Sequence, residues 1–173
     1  MFGRKSSKVL GQQAMRILIV SDTHRRIKPL QDVLEKIGPL DMLIHLGDSE
    51  GQDLYIREIA GCPCHIVAGN CDYGGSLPLE EVITIGKYQA LLTHGHRYVV
   101  SATTVILADK AANYGCQIAM YGHTHVPEIK YERGVTLLNP GSLSLPRQSN
   151  LRGSYILMEI DREGEAHYTI CYL

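Results

Sequence analysis

The sequence lacks three things at once: a long apolar run, a paired-cysteine motif and an excess of either charge. No stretch approaches the ~18 consecutive apolar residues of a membrane-spanning helix, and the basic start, Met1 to Lys5, is not followed by the apolar core of a signal peptide. The five cysteines, at 62, 64, 71, 116 and 171, are odd in number and show no Cys-x-x-Cys spacing. That usage argues against a disulfide framework and against a structural zinc knuckle, and fits reduced thiols in a cytoplasm. A formal net charge of -1 leaves no broad basic surface for nucleic acid. Hydrophobic content of 45% beside 20% charged residues excludes a disordered or fibrous chain. The 173 residues suit one domain with a substantial core. That domain is expected over residues 15–173, because Met15 directly precedes the first apolar run; residues 1–14 read as a basic arm or an expression leftover.

What the chain does contain is a repeated junction. From Ile17 to Val20 it is aliphatic without polar alternation, the pattern of a strand buried on both faces. The run ends in Asp22 and His24. Met42 to Leu46 then leads into Gly47-Asp48, His65 to Ala68 into Gly69-Asn70, Ala90 to Thr93 into His94-Gly95-His96, and Ile118 to Tyr121 into Gly122-His123-Thr124-His125. A lone Asp after a strand is commonly a helix N-cap. Five exits in order, supplying Asp, His, Asp, Asn, His, His and His, point instead to one site beyond the carboxyl ends of parallel strands.

Between these runs, Leu30, Val33, Leu34 and Ile37 are spaced as one helical face, ended by Gly38-Pro39. A second helix is expected over Gln52 to Ala60 and a third over 101–114, with an apolar face of Val105, Ala108 and Ala112. The strand–helix alternation calls for right-handed crossovers and a mostly parallel sheet. Hairpins are expected at Glu81 to Leu92, at Glu128 to Leu138 and at Ser154 to Tyr172. The carboxyl-terminal hairpins should complete a second sheet packed on the first. The fold class is therefore α/β, a two-sheet sandwich flanked by helices.

Four imidazoles, two carboxylates and an amide oxygen can hold two divalent cations side by side. Such a pair stabilises the attacking and leaving oxygens of an in-line displacement at phosphorus. Asp22-Thr23-His24, Gly47-Asp48, Gly69-Asn70, His94-Gly95-His96 and Gly122-His123-Thr124-His125, in this order, resemble the complete signature of calcineurin-like metallophosphoesterases. The resemblance runs from about residue 15 to the end and is similar in extent to the small bacterial and archaeal phosphodiesterases of that superfamily. Asn139 to Ser142 and Pro146-Arg147 also resemble an element of that subgroup.

The resemblance implies a four-layer α/β/β/α fold and a dinuclear centre. By position it puts Asp22, His24 and His125 on one cation and Asn70, His94 and His123 on the other, with Asp48 bridging and a bridging hydroxide as nucleophile. Mn is implied first; Ni, Co, Fe and Zn also suit imidazole with hard oxygen donors. The implied activity is hydrolysis of a small phosphodiester by a cytoplasmic enzyme, with a homodimer as the base-rate assembly.

Two positions depart from the commoner family pattern. Cys71 stands where many members have His, and a thiol with a pKa near 8.5 is a poor substitute for imidazole at neutral pH. Arg25 stands where Gly is frequent, as a cation at the mouth or a side chain in solvent. His96 reads either as a proton donor or as a partner orienting His94. His45 and His65 read as core or edge histidines, His167 as a surface one, and Cys62 and Cys64 as packing residues. Arg147 is either a phosphate clamp or a surface residue. The rival readings are a phosphomonoesterase on the same site, a protein-binding scaffold like the retromer subunit that shares the fold, and, last, a nuclease.

Overall fold

The computed structural model describes residues 14–173; the arm expected over residues 1–14 lies, apart from Ala14, outside the described residues. In chain order the elements are β1 (Met15–Val20), α1 (Lys28–Ile37), β2 (Met42–His45), α2 (Asp53–Ala60), β3 (Cys64–Ile66), β4 (Glu80–Ile85), β5 (Tyr88–Thr93), α3 (Val105–Asn113), β6 (Ile118–Met120), β7 (Pro127–Glu132), β8 (Val135–Pro140), β9 (Ser154–Ile160) and β10 (Ala166–Tyr172). The strands form two five-stranded sheets, ordered β10-β9-β1-β2-β3 and β4-β5-β6-β8-β7.

Strand periodicity explains the layers. Successive side chains point to opposite faces, so Ile17 and Ile19 of β1 join Leu92 of β5, Met120 of β6 and Leu138 of β8 between the sheets. Leu18 and Val20 point the other way, onto Leu30 and Val33 of α1 and Ile56 of α2. Leu91, Ala119 and Leu137 do the same on the second sheet, against Leu107, Ala108 and Ala111 of α3. Three apolar layers between four layers of structure account for the unbroken aliphatic runs, and shortening any fully buried Leu or Ile among them to Ala costs about 2–5 kcal/mol.

Three expectations need correction. Both sheets are mixed: β1 pairs parallel with β2 and antiparallel with β9. The last hairpin, β9–β10, therefore joins the first sheet, and only β7–β8 joins the second. Local turn signals define a hairpin but carry no information about which distant strand it extends. The third helix starts at Val105, not at 101: a left-handed Val99 (φ 55°) follows the short turn His96–Tyr98, and the N–H groups of Ala102 and Thr103 close turns on the Val99 carbonyl before the helix begins. Its packed face is Leu107, Ala108 and Ala111, while Ala112 is exposed. The first helix matches its pattern: Pro29 sits in the first turn, Leu30 and Val33 are buried, and Gly38 caps the end through its N–H to the Leu34 carbonyl at 3.2 Å.

Candidate metal centre

Every candidate ligand sits just past the carboxyl end of a parallel-paired strand: Asp22 and His24 after β1, Asp48 after β2, Asn70 after β3, His94 after β5, His123 and His125 after β6. The exits are drawn so close that two glycines are obligatory. A Cβ at Gly69 would lie 2.1 Å from Asp48 Oδ1, and one at Gly122 would lie 2.0 Å from Ser21 Oγ and 2.8 Å from Asp22 Oδ2. Backbone strain gathers in the same place. Ten described non-glycine residues have positive φ, and seven of them are Asp22, His24, Arg25, Asp48, Glu50, His123 and His125. Conformations costing of order 1–3 kcal/mol each persist only where surrounding structure imposes them.

Buried polar clips do the imposing. The Asp72 carboxylate accepts from the backbone N–H groups of Asp48 (2.7 Å), Glu50 (2.6 Å) and Gly69 (2.8 Å) and from the Ser49 hydroxyl (3.1 Å), tying the β2 exit to the β3 exit. Burial acts to raise this carboxyl, yet the N–H groups of Gly69, Glu50 and Asp48 prevail and hold it below its ordinary value. Asn139 donates to the Gly122 carbonyl (3.1 Å) and to Thr124 Oγ1 (2.9 Å), and Ser142 donates to the Asp22 carbonyl at 2.7 Å. The Asn139–Ser142 turn is thus a brace between the β1 and β6 exits.

Within this frame the ligand-type atoms converge on one pocket. His94 Nδ1 lies 2.7 Å from the Leu46 carbonyl, and His125 Nδ1 lies 2.7 Å from the Leu145 carbonyl. A carbonyl oxygen can only accept, so both rings carry a proton on Nδ1 and turn Nε2 into the pocket. His125 Nε2 faces Asp22 Oδ1 at 3.0 Å; His94 Nε2 faces Asn70 Oδ1 at 3.0 Å and Asp48 Oδ2 at 3.5 Å. Ring nitrogens and oxygens at such range, with Asp22 Oδ1 buried and lacking a hydrogen-bond partner, call for positive charge between the atoms, supplied by protons or by metal cations. The donor set fits divalent cations: Asp22 with His24 and His125, and Asp22 with Asp48 and His94, each place one ligand atom apiece within 4.8 Å of one another. His123 completes the cluster, its ring 5.2 Å from that of His94 and its backbone N–H donating to Asp22 Oδ2 at 3.1 Å.

Electrostatics points the same way. Burial opposes charge on Asp22, but His125 and His24 beside it keep the carboxyl well below the usual carboxylate range. The Asp22 carboxylate raises His24 to about 9 against burial, with Glu50 adding to the effect. Protons and cations therefore compete for one anionic pocket.

The other candidates are placed as follows. His96 lies 5.4 Å from the His94 ring and 6.1 Å from that of His123, with Nδ1 buried and unpartnered. It does not orient His94, whose Nδ1 is taken by Leu46. The Cys71 backbone N–H donates to Asp48 Oδ1 at 2.8 Å, and burial, then the Asp48 charge, pushes its thiol up to about 11. Arg25 pairs through Nε with Glu50 Oε2 at 3.2 Å and is otherwise exposed. Arg147 is exposed, and only its backbone N–H reaches the centre's frame, donating to the His125 carbonyl at 3.1 Å. His45 is buried with Nε2 3.0 Å from Thr23 Oγ1, His65 pairs with Glu81, and His167 is exposed beside Asp161. Cys62 and Cys64 pack half-buried under the helices of the first sheet, and all five thiols are free. Glu50 and Asp72 escaped sequence reading, since a carboxylate beside a motif looks like any polar loop residue.

A family model described as a calcineurin-like phosphoesterase superfamily domain matches residues 15–163. The chain belongs to this superfamily. It is 33% identical over 150 residues to YsnB of Bacillus subtilis, a probable metallophosphoesterase, covering 86% of each sequence. Among solved structures, a conserved uncharacterised protein of Streptococcus pneumoniae, a predicted phosphoesterase, superposes with a TM-score of 0.76 at 26% identity, covering 94% of this chain and 99% of the other. Wild-type Vps29 of Entamoeba histolytica, solved with zinc, superposes with a TM-score of 0.70 at 25% identity, covering 91% and 99%. The two mixed five-stranded sheets with three helices are thus the metallophosphoesterase sandwich, and membership in the superfamily implies divalent metal and phosphoester hydrolysis. Among the described residues no helix is long and apolar enough to cross a membrane.

Proposed function

We propose that the chain is a dinuclear metal-dependent phosphodiesterase acting on small phosphodiesters in the cytoplasm. The observation that carries the reading is the convergence of His94 Nε2 and His125 Nε2 on carboxylate and amide oxygens around Asp22 and Asp48. Asp22, His24 and His125 would hold one cation, Asn70, His94 and His123 the other, and Asp48 both, with Mn the first choice. Bound there, two such cations would supply Lewis-acid stabilisation of charge on phosphoryl oxygens.

The chain's own residues do the rest. The carbonyls of Leu46 and Leu145 hold Nδ1 of His94 and His125, so both turn Nε2 to the pocket, where it would serve as the metal ligand. The neutral Asn70 amide leaves more net positive charge for an anionic substrate than another carboxylate would. Cys71, as a thiol raised to about 11, is a weak general acid at neutral pH. His96, on the second-sheet side of the cluster, is the remaining imidazole able to hydrogen-bond a phosphoryl or leaving-group oxygen. Esters with good leaving groups are therefore favoured. Zinc in the Entamoeba relative supports a divalent site. The scaffold reading ranks behind because all seven ligand-type residues are present and gathered.

The test is hydrolysis of bis(p-nitrophenyl) phosphate and p-nitrophenyl phosphate by metal-stripped protein resupplied with Mn, Ni, Co, Zn or Mg in turn. The diester should be the better substrate. Preference for the monoester would move the assignment to a phosphomonoesterase, and no turnover of either would favour the scaffold.

A further inference from the structure

The three imidazoles whose second nitrogen is held in place are not held alike. His94 and His125 donate through Nδ1 to main-chain carbonyls, of Leu46 and Leu145, both at 2.7 Å. Such acceptors are neutral and are present whatever the side chain. His24 instead meets a carboxylate, with Nδ1 2.7 Å from Glu50 Oε1. At the same length, a carboxylate makes a charge-assisted bond and pushes more electron density onto the far nitrogen than a carbonyl does. That far nitrogen, Nε2, looks into the pocket, 3.4 Å from His125 Nε2, 3.7 Å from Asp22 Oδ1 and 3.8 Å from Asp48 Oδ2.

Glu50 is also built to stay there. It takes a left-handed backbone conformation (φ 54°), held by its N–H on Asp72 Oδ1 at 2.6 Å, and its second oxygen is occupied by Arg25 Nε at 3.2 Å. A glutamate placed only for solubility needs neither a strained backbone nor partners on both oxygens.

We propose that Glu50 is a positioning residue that fixes the tautomer and raises the donor strength of His24, and so sets the affinity of one of the two cations and not the other. This deepens the functional reading above and rests on it. Because this brace is a side chain, a single substitution can remove it, whereas the main-chain braces of His94 and His125 cannot be removed in that way. Arg25, by pairing with Glu50, is a part of this device and not a free phosphate contact.

The experiment is calorimetric titration of Mn(II) alone into the metal-stripped full chain, comparing wild type, Glu50→Gln and Glu50→Ala, with melting temperature read on each. Wild type should bind two ions. Glu50→Ala should weaken one step by about 10- to 100-fold and leave the other within about 2-fold. Glu50→Gln, which still accepts from Nδ1 without the charge, should fall between. Equal weakening of both steps, tracking a fall in melting temperature, would show a merely structural residue and overturn the proposal. So would no change in either step. A wild type that binds one ion would overturn the two-ion reading, and the Glu50 proposal would then be decided by whether Glu50→Ala weakens that ion.

Discussion

The parallel centre and the antiparallel flanks of the two sheets divide the work of this molecule. β1, β2 and β3 in one sheet and β5, β6 and β8 in the other run parallel to their neighbours in those groups. Six exits from these strands supply all seven ligand-type residues and the Asn139–Ser142 brace. The flanking strands β4, β7, β9 and β10 pair antiparallel and supply none. Parallel strands need crossovers, so their carboxyl ends collect on one edge of the sandwich and leave long, adjustable exits there. Hairpins return the chain at once, which seals a sheet but leaves no such exit. The ligand-type side chains accordingly gather at one rim, while the flanks complete the core.

Substitutions should reveal that division. Asp48→Ala, in the centre, should abolish metal-dependent turnover, by about 1,000-fold or more, because losing the proposed shared ligand would forfeit several kcal/mol of transition-state stabilisation; steady-state hydrolysis of the diester checks this. Gly69→Ala should cost about 1–3 kcal/mol or more by driving a methyl against the Asp48 carboxylate. Urea unfolding would measure that loss, and metal uptake should fall with it. Arg25→Ala should weaken binding of one ion by no more than about 3-fold, since the guanidinium is mostly solvated and reaches His24 only through Glu50. Tyr131→Ser, on flank strand β7 where the ring is exposed, should leave stability within about 0.5 kcal/mol and turnover unchanged. A large activity loss there would break the comparison.

Acid sharpens it further, because the two regions hold histidines of opposite sign. Burial holds His45, in β2, at about 4. The unfolded chain, near 6.5, takes up that proton first, so this contribution is complete above about pH 6.5 and lost as pH falls toward 4, amounting to about 3 kcal/mol. On flank strand β10 the Asp161 carboxylate raises His167, whose contribution is present below the unfolded value and lost as pH rises. Being exposed, it is screened and counts for little. Urea midpoints at pH 7 and 4.5 should therefore differ, and the difference should shrink in His45→Asn but not in His167→Asn.

Much of this was legible in the residues. Aliphatic runs ending in Asp, His or Asn located the exits, and the spacing of Leu30, Val33, Leu34 and Ile37 located the first helix. The sheet assignment of β9–β10 was not legible, because its partner β1 lies some 140 residues away in sequence and hydrophobic alternation does not name a partner. Nor was the start of α3, which follows turns on a left-handed Val99 that no composition signals. The bracing of His94 and His125 was hidden for a deeper reason: every residue has a carbonyl, and only the fold says that those of Leu46 and Leu145 face the imidazoles. Glu50 and Asp72 were visible as carboxylates, yet their roles depend on two loops meeting across the sheet.

The central claim is that seven side chains from five strand exits hold two divalent ions as one unit. Metal content of the Mn-reconstituted chain, beside Asp48→Ala, tests it most directly. Two ions per chain in the wild type, and at most one bound weakly once Asp48 is gone, is the result this account predicts. A wild type that retains one ion or none, or an Asp48→Ala chain that still holds two tightly, would contradict it.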